Sequence, residues 1–161
     1  MSRTISMLVD NQPAVLTRVC GLVARRGFNI ESLAVSHTED CTRSRVTMVV
    51  DADETVVEQV TKQLHKLINV YKVNDLSETE HIDRELVLFK VNAEPARRSE
   101  IVELAGIFRA KIVDVGPVTL TIEMTGDDNK LDAMEDLLRA YGIKQIVRSG
   151  KIAITRGNTR Q

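Results

Sequence analysis

One succession of periodicities occurs twice along the 161 residues, and it limits the folds open to this chain more than any single motif does. Residues 3–9 alternate, with Ile5, Met7 and Val9 on one side and Thr4 and Ser6 on the other, the period of a half-buried strand. Asp10-Asn11-Gln12-Pro13 supplies side chains able to cap a helix and a proline suited to its first turn. Val15, Leu16, Val19, Leu22 and Val23 follow at helical spacing, and Gly27 suits the left-handed residue that ends a helix. Residues 28–37 read as a strand, 38–42 as a polar hairpin connection, and 45–51 as a second alternating strand with Val46, Met48 and Val50 on one face. Asp53 can cap a second helix whose stripe is Val56, Val60, Leu64, Leu67 and Ile68, and residues 70–76 form a last strand.

The pattern then recurs more loosely. Residues 84–91 carry Leu86, Val87, Leu88 and Phe89, and residues 99–110 are helical with Ile101, Leu104, Ala105 and Phe108 inward. Residues 111–115 are a strand, and in 118–125 Val118, Leu120, Ile122 and Met124 alternate with Thr119, Thr121, Glu123 and Thr125. Asp127 or Asp128 caps a helix bearing Leu131, Met134, Leu138 and Tyr141, and residues 143–155 are strand material broken by Gly150. Strand, helix, strand, strand, helix, strand, twice over, predicts an α+β protein of two ferredoxin-like βαββαβ domains in tandem. The first occupies residues 1–77, a polar linker 78–83, the second domain 84–157, and a loose tail 158–161.

Composition narrows function. Lys plus Arg is 22 against 23 Asp plus Glu, so bulk charge favours no polyanion, and charged residues at 28% with an apolar share of 43% exclude a disordered chain. No apolar run reaches membrane length, the first ten residues lack a signal-peptide pattern, and two isolated cysteines, Cys20 and Cys41, suit a reducing cytoplasm. An RNA-recognition motif shares the strand and helix order, but it needs aromatics on a central strand, and residues 45–50 have none. Arg25-Arg26 and Arg97-Arg98 read as solvated helix ends. His37, His65 and His81 are scattered, Asp127-Asp128-Asn129 suits capping better than a cation, and no glycine-rich phosphate loop is present; neither a catalytic residue nor a metal site is expected.

Two physical expectations remain. A four-stranded unit of about 75 residues is marginal alone. With helices on one face only, its other face (Thr4, Ser6, Leu8, Thr47 and Val49) is too apolar for full solvation, and an exposed edge strand invites pairing. A homodimer or larger assembly follows. The junction of the first strand and helix is the chemically interesting place, because a helix's first N–H groups lack internal partners and that end is positive. A carboxylate can bind there, Asn11 adds a donor and an acceptor, and Val15 and Leu16 add apolar surface. Alternatively, Asn11 only caps the helix.

Residues 11–19, Asn11-Gln12-Pro13-Ala14-Val15-Leu16-Thr17-Arg18-Val19, and Arg26-Gly27-Phe28-Asn29-Ile30-Glu31-Ser32-Leu33 resemble the ACT domain of the acetolactate synthase (acetohydroxyacid synthase) small-subunit family. The resemblance continues through Lys62-Gln63-Leu64-His65-Lys66-Leu67 and, in the second half, through Arg84-Glu85-Leu86 and Phe108-Arg109-Ala110. It implies a regulatory chain with no cofactor of its own. The large catalytic subunit would carry thiamine diphosphate, Mg and FAD, and this chain would activate it and mediate feedback inhibition by valine or another branched-chain amino acid. It further implies an effector site between two ACT domains, with Asn11, Ala14, Val15 and Leu16 from one chain and Asn29 and Ile30 from the other. A regulator of a different metabolic enzyme is the alternative. The family usually has glycine where this chain has Ala14; the helical conformation suits alanine, but its methyl can crowd a ligand by about 1–3 kcal/mol, roughly tenfold to hundredfold in affinity.

Overall fold

The computed structural model describes residues 2–157, so the expected tail at 158–161 lies outside the described residues. Its described residues divide into two compact units, 2–82 with 151–157, and 83–150. The first unit runs β1 (Ser2–Asp10), α1 (Val15–Arg25), β2 (Asn29–His37), β3 (Arg43–Asp51), α2 (Glu54–Leu64) and β4 (Val70–Asp75). The second runs β5 (His81–Asn92), α3 (Arg98–Ile107), β6 (Lys111–Val115), β7 (Thr119–Gly126), α4 (Asp128–Arg139) and β8 (Ile143–Arg148). Strand orders are β2-β3-β1-β4 and β6-β7-β5-β8, antiparallel throughout, so each unit is the ferredoxin-like arrangement that the periodicities predict.

The repeat extends to irregularities. β2 shifts register against β3 between Ile30 and Ser32, and β6 shifts against β7 between Ile112 and Asp114. Likewise β4 skips Tyr71 against β1, and β8 skips Lys144 against β5. One extra residue at each place bends an outer strand and increases its twist. Corresponding positions also carry a part-buried ion pair of opposite polarity. Arg3 lies 3.4 Å from Asp75 and 3.2 Å from Glu78, whereas Glu85 accepts from Arg148 at 2.9 Å. Ile5 pairs with Met48 and Val87 with Met124, which makes Arg3 and Glu85 equivalent.

Each unit has its own core. Ile5, Met7, Met48, Val19, Val23, Val60 and Leu64 fill the first, and Phe89, Ile101, Leu120, Ile122, Leu131 and Met134 the second. Asp127 caps α4 as expected, accepting from the Lys130 N–H at 3.0 Å. Arg98, expected as a solvated helix end, instead donates to the carbonyls of Ala93, Gly116 and Pro117, fastening the loop before β7.

Two expectations are corrected. α2 ends at Leu64, and the chain tightens through i→i−3 bonds from Lys66 and Leu67, so Ile68 leaves the expected stripe and is 94% exposed. Gly150, at φ +86°, ends β8, the break expected there. Beyond it Lys151 N–H donates to Ser32 Oγ (2.8 Å), Arg156 N–H donates to the Glu80 carbonyl (3.0 Å), and β9 (Ile152–Thr155) pairs with β5 in the second sheet. Finally, Thr4, Ser6, Thr47 and Val49 are already buried within the chain and only Leu8 is half-buried. Within the first unit, Thr4 N–H donates to Ser77 Oγ and Arg45 to Ser6 Oγ. An open sheet face therefore gives no reason for dimerisation; the outer edge of β2 remains.

Candidate functional site

Asp10 closes β1, and four residues pass before α1 begins at Val15. Asn11 does not cap that helix. Its N–H donates to the Thr42 carbonyl (2.8 Å), and its side-chain Nδ2 lies 3.0 Å from the Cys41 carbonyl and 3.1 Å from His37 Nδ1. Asn11 thus fastens the β1–α1 junction to the β2–β3 hairpin. The N-cap position is Ala14, and no side chain caps α1. Val15 N–H makes a long bond to the Gln12 carbonyl (3.4 Å) and Arg18 N–H bonds Ala14 (3.0 Å), so Leu16 and Thr17 present N–H groups with no acceptor among the described residues.

Ala14 departs from its expected helical conformation: at φ 69° and ψ −7° it is left-handed. An L-residue there bears roughly 1–2 kcal/mol, which glycine avoids at a cost of about 0.5–1 kcal/mol in unfolded-chain freedom. Ala14→Gly is therefore expected to stabilise the first unit by up to about 1 kcal/mol, read as a rise of roughly 4–8 °C in its thermal midpoint. An unchanged or lowered midpoint would show that Ala14 is not strained.

Of the other residues picked out from sequence, Val15 is only 4% exposed and its side chain belongs to the core, so it can offer a ligand backbone but little surface. Leu16, expected to add apolar surface here, is 38% exposed and so offers an apolar side chain that solvent reaches. Asn29 and Ile30 lie at the opposite end of the sheet. Asn29 pairs with Asp51 and Asp51 with Ser2, whereas Asp10 pairs with Arg43. Eight residues of strand separate those ends, roughly 26 Å. Asn11, Ala14, Val15 and Leu16 therefore come together in this chain, and Asn29 and Ile30 do not join them.

The charges around the junction are largely satisfied by one another. The Asp10 carboxylate accepts from the Tyr71 hydroxyl and from Asn69 (2.8 Å), which hold it below the usual carboxylate range, with Arg43 adding to the effect. The same hydrogen bond pushes the Tyr71 hydroxyl up. Arg43 stacks 4.4 Å above the Tyr71 ring, and the Thr42 hydroxyl and N–H hold Asp40 down. Beside α1's first turn, Val15, Arg18, Leu67, Ile68 and Asn69 line a depression of about 220 Å³. What remains for a ligand is two N–H donors at a positive helix end, the Asn11 amide oxygen and the apolar Leu16. His37 and Cys41 read from sequence as scattered and isolated because they meet Asn11 only across 26 and 30 residues of chain. Among the described residues, no three metal-ligating side chains converge and no helix is long and apolar enough to cross a membrane.

Residues 5–72 match the family described as AHAS small subunit-like ACT domain, and residues 84–157 match that described as small subunit of acetolactate synthase. The chain is 55% identical over 158 residues to a probable acetolactate synthase small subunit of Archaeoglobus fulgidus, covering 98% of this chain and 99% of that one. It is 51% identical over 156 residues to the acetolactate synthase small subunit of Mycobacterium leprae, covering 97% and 92%. Among solved structures, the acetolactate synthase small subunit of Thermotoga maritima superposes with a TM-score of 0.88 at 39% identity, covering 99% of both chains.

Proposed function

The chain belongs to the acetolactate synthase small-subunit family, and from that premise we propose that it regulates a separate large catalytic subunit and senses valine or another branched-chain amino acid. The reaction and its cofactors (thiamine diphosphate, Mg and FAD) belong to that partner. This chain activates it and carries the inhibitory signal.

The observation that carries this reading is the separation of the two half-sites. Asn11, Ala14, Val15 and Leu16 lie at one end of the sheet and Asn29 and Ile30 at the other. β2 is an edge strand whose middle residue is Leu33. Antiparallel pairing of two β2 edges about a two-fold axis at Leu33 sets Asn29 of a second copy opposite His37 of the first, and His37 touches Asn11. The dimer then completes a pocket that neither protomer holds alone. The N–H groups of Leu16 and Thr17 take the effector's carboxylate, the Asn11 oxygen its ammonium, and Leu16 its aliphatic chain. The Ala14 methyl narrows the entrance, so Ala14→Gly should bind valine more tightly in calorimetry; equal affinities would dismiss the methyl as an obstacle.

An effector seated between two copies shifts activity only by its different affinity for two arrangements of the dimer, and coupling of about 1–3 kcal/mol is usual. Reconstitution with the cognate catalytic subunit tests the reading. Acetolactate formation should rise on adding this chain and fall on adding valine, and the catalytic subunit should alter valine affinity about 5–150-fold. A chain that binds an amino acid yet leaves acetolactate formation unaffected would instead regulate another enzyme.

A further inference from the structure

We infer that His37 is a positioning residue that locks the Asn11 amide in its ligand-reading orientation, and that effector binding is thereby gated by the imidazole proton. The inference rests on the reading of this junction as the effector site. Its structural basis is the pair of contacts made by one nitrogen. Asn11 Nδ2 lies 3.0 Å from the Cys41 carbonyl oxygen and 3.1 Å from His37 Nδ1. A carbonyl oxygen can only accept, so the contact with Cys41 requires the NH2 group to be on that side. Both amide hydrogens are then directed inward, and His37 Nδ1 must be the acceptor of the second. The ring is consequently neutral, with its hydrogen on Nε2. The amide oxygen is left to face the ligand and can only accept, which selects an ammonium group over a carboxylate or a second carbonyl.

A second proton on the ring inverts this arrangement. Nδ1–H and Asn11 Nδ2 would both be donors in contact. Relief requires a half-turn of the amide, which points its oxygen at the imidazolium and sets it against the Cys41 carbonyl. The half-turn removes the acceptor for the effector's ammonium, and a positive ring stands beside the position the ammonium would occupy. The sign follows from linkage: the bound state holds His37 neutral, so binding is full where the ring is unprotonated and weakens as pH falls through its titration.

The surrounding charges do not substitute for the ring. On the hairpin, Asp40 is held by Thr42 and lies 3.7 Å from Arg43, which stacks on Tyr71 of β4. On β1, Asp10 is held by Tyr71 and Asn69, and Arg45 of β3 reaches Ser6. Glu39 completes the set of charges flanking the hairpin, and no carboxylate forms an ion pair with His37 among the described residues.

The test is valine calorimetry on the full-length chain at several pH values between about 5 and 8, the range in which a histidine changes charge. One proton linked to one effector limits the slope to about tenfold in affinity per pH unit. The wild type should approach that slope on its acid limb. His37→Asn keeps an acceptor at the δ position and does not titrate, so it should retain the alkaline affinity and show no slope. His37→Ala should bind several-fold more weakly even at the alkaline end. A wild-type slope matched by His37→Asn, or His37→Ala binding as tightly as wild type, would overturn the proposal. The Asn11 side-chain NH2 resonances in nitrogen-15 NMR give a readout without ligand: they should move with the His37 titration in the wild type and stay still in His37→Asn. Motion of those resonances in a chain that binds no valine would leave the clamp standing and remove the effector reading. Resonances that do not respond to the titration would overturn the clamp itself.

Discussion

Replacing Phe89 by alanine is expected to destabilise the second unit by about 3–5 kcal/mol, because a fully buried phenyl leaves both lost transfer energy and a cavity. Phe89 sits on the central strand β5, opposite Ile122 of β7 and Ile146 of β8, and no other aromatic side chain of that core is fully buried. Small domains hold only about 5–15 kcal/mol in total, and a unit of this size lies near the low end. Most of the second unit's stability goes with that one ring. The first unit has a separate core built from Met48, Val19, Leu64 and their neighbours. Hydrogen exchange on the intact chain should therefore show the amides of Leu120, Ile122 and Met124 losing protection while those of Val46, Met48 and Val50 keep theirs. Equal loss in both sets would show that the units unfold as one cooperative body.

Asn11→Ala is expected to weaken valine binding about 10–100-fold, the range for losing a hydrogen bond to a charged group, about 1.5–3 kcal/mol. The backbone bond from residue 11 to Thr42 survives the change, as do the N–H groups of Leu16 and Thr17. The junction should keep its course while losing its ammonium acceptor and its tie to the Cys41 carbonyl. Calorimetry gives the affinity, and the valine concentration needed for half-inhibition of the reconstituted enzyme should rise by the same factor. Circular dichroism should report an unchanged fold. Affinity within twofold of wild type would remove Asn11 from the site, and with it the assignment of the ammonium to this loop.

How much of the protein was legible in the sequence depended on how local the cause was. Both βαββαβ halves followed from periods of two and of about 3.6, because a buried face imposes its own spacing wherever it lies. The buried stripe Leu131, Met134 and Leu138, the Asp127 cap and the break at Gly150 came the same way, since each rests on neighbours a few residues off. The candidate loop was found from helix-start chemistry and from its resemblance to a family. The alternative reading of Asn11 there, capping, does not hold, because its partners are Cys41 and His37.

The sequence by itself determined which segments are strands and helices, which sides of them are apolar, and that the arrangement is repeated. These are short-range consequences of side-chain spacing. Only the tertiary structure decided that Ala14 takes a left-handed conformation, that the second sheet face is already covered, that Ile68 falls outside its helix, and that Asn29 lies a sheet's length from Asn11. Those facts depend on contacts between residues far apart in the chain. The free energy of such contacts is set by where the whole backbone closes, and no local pattern of residues encodes it.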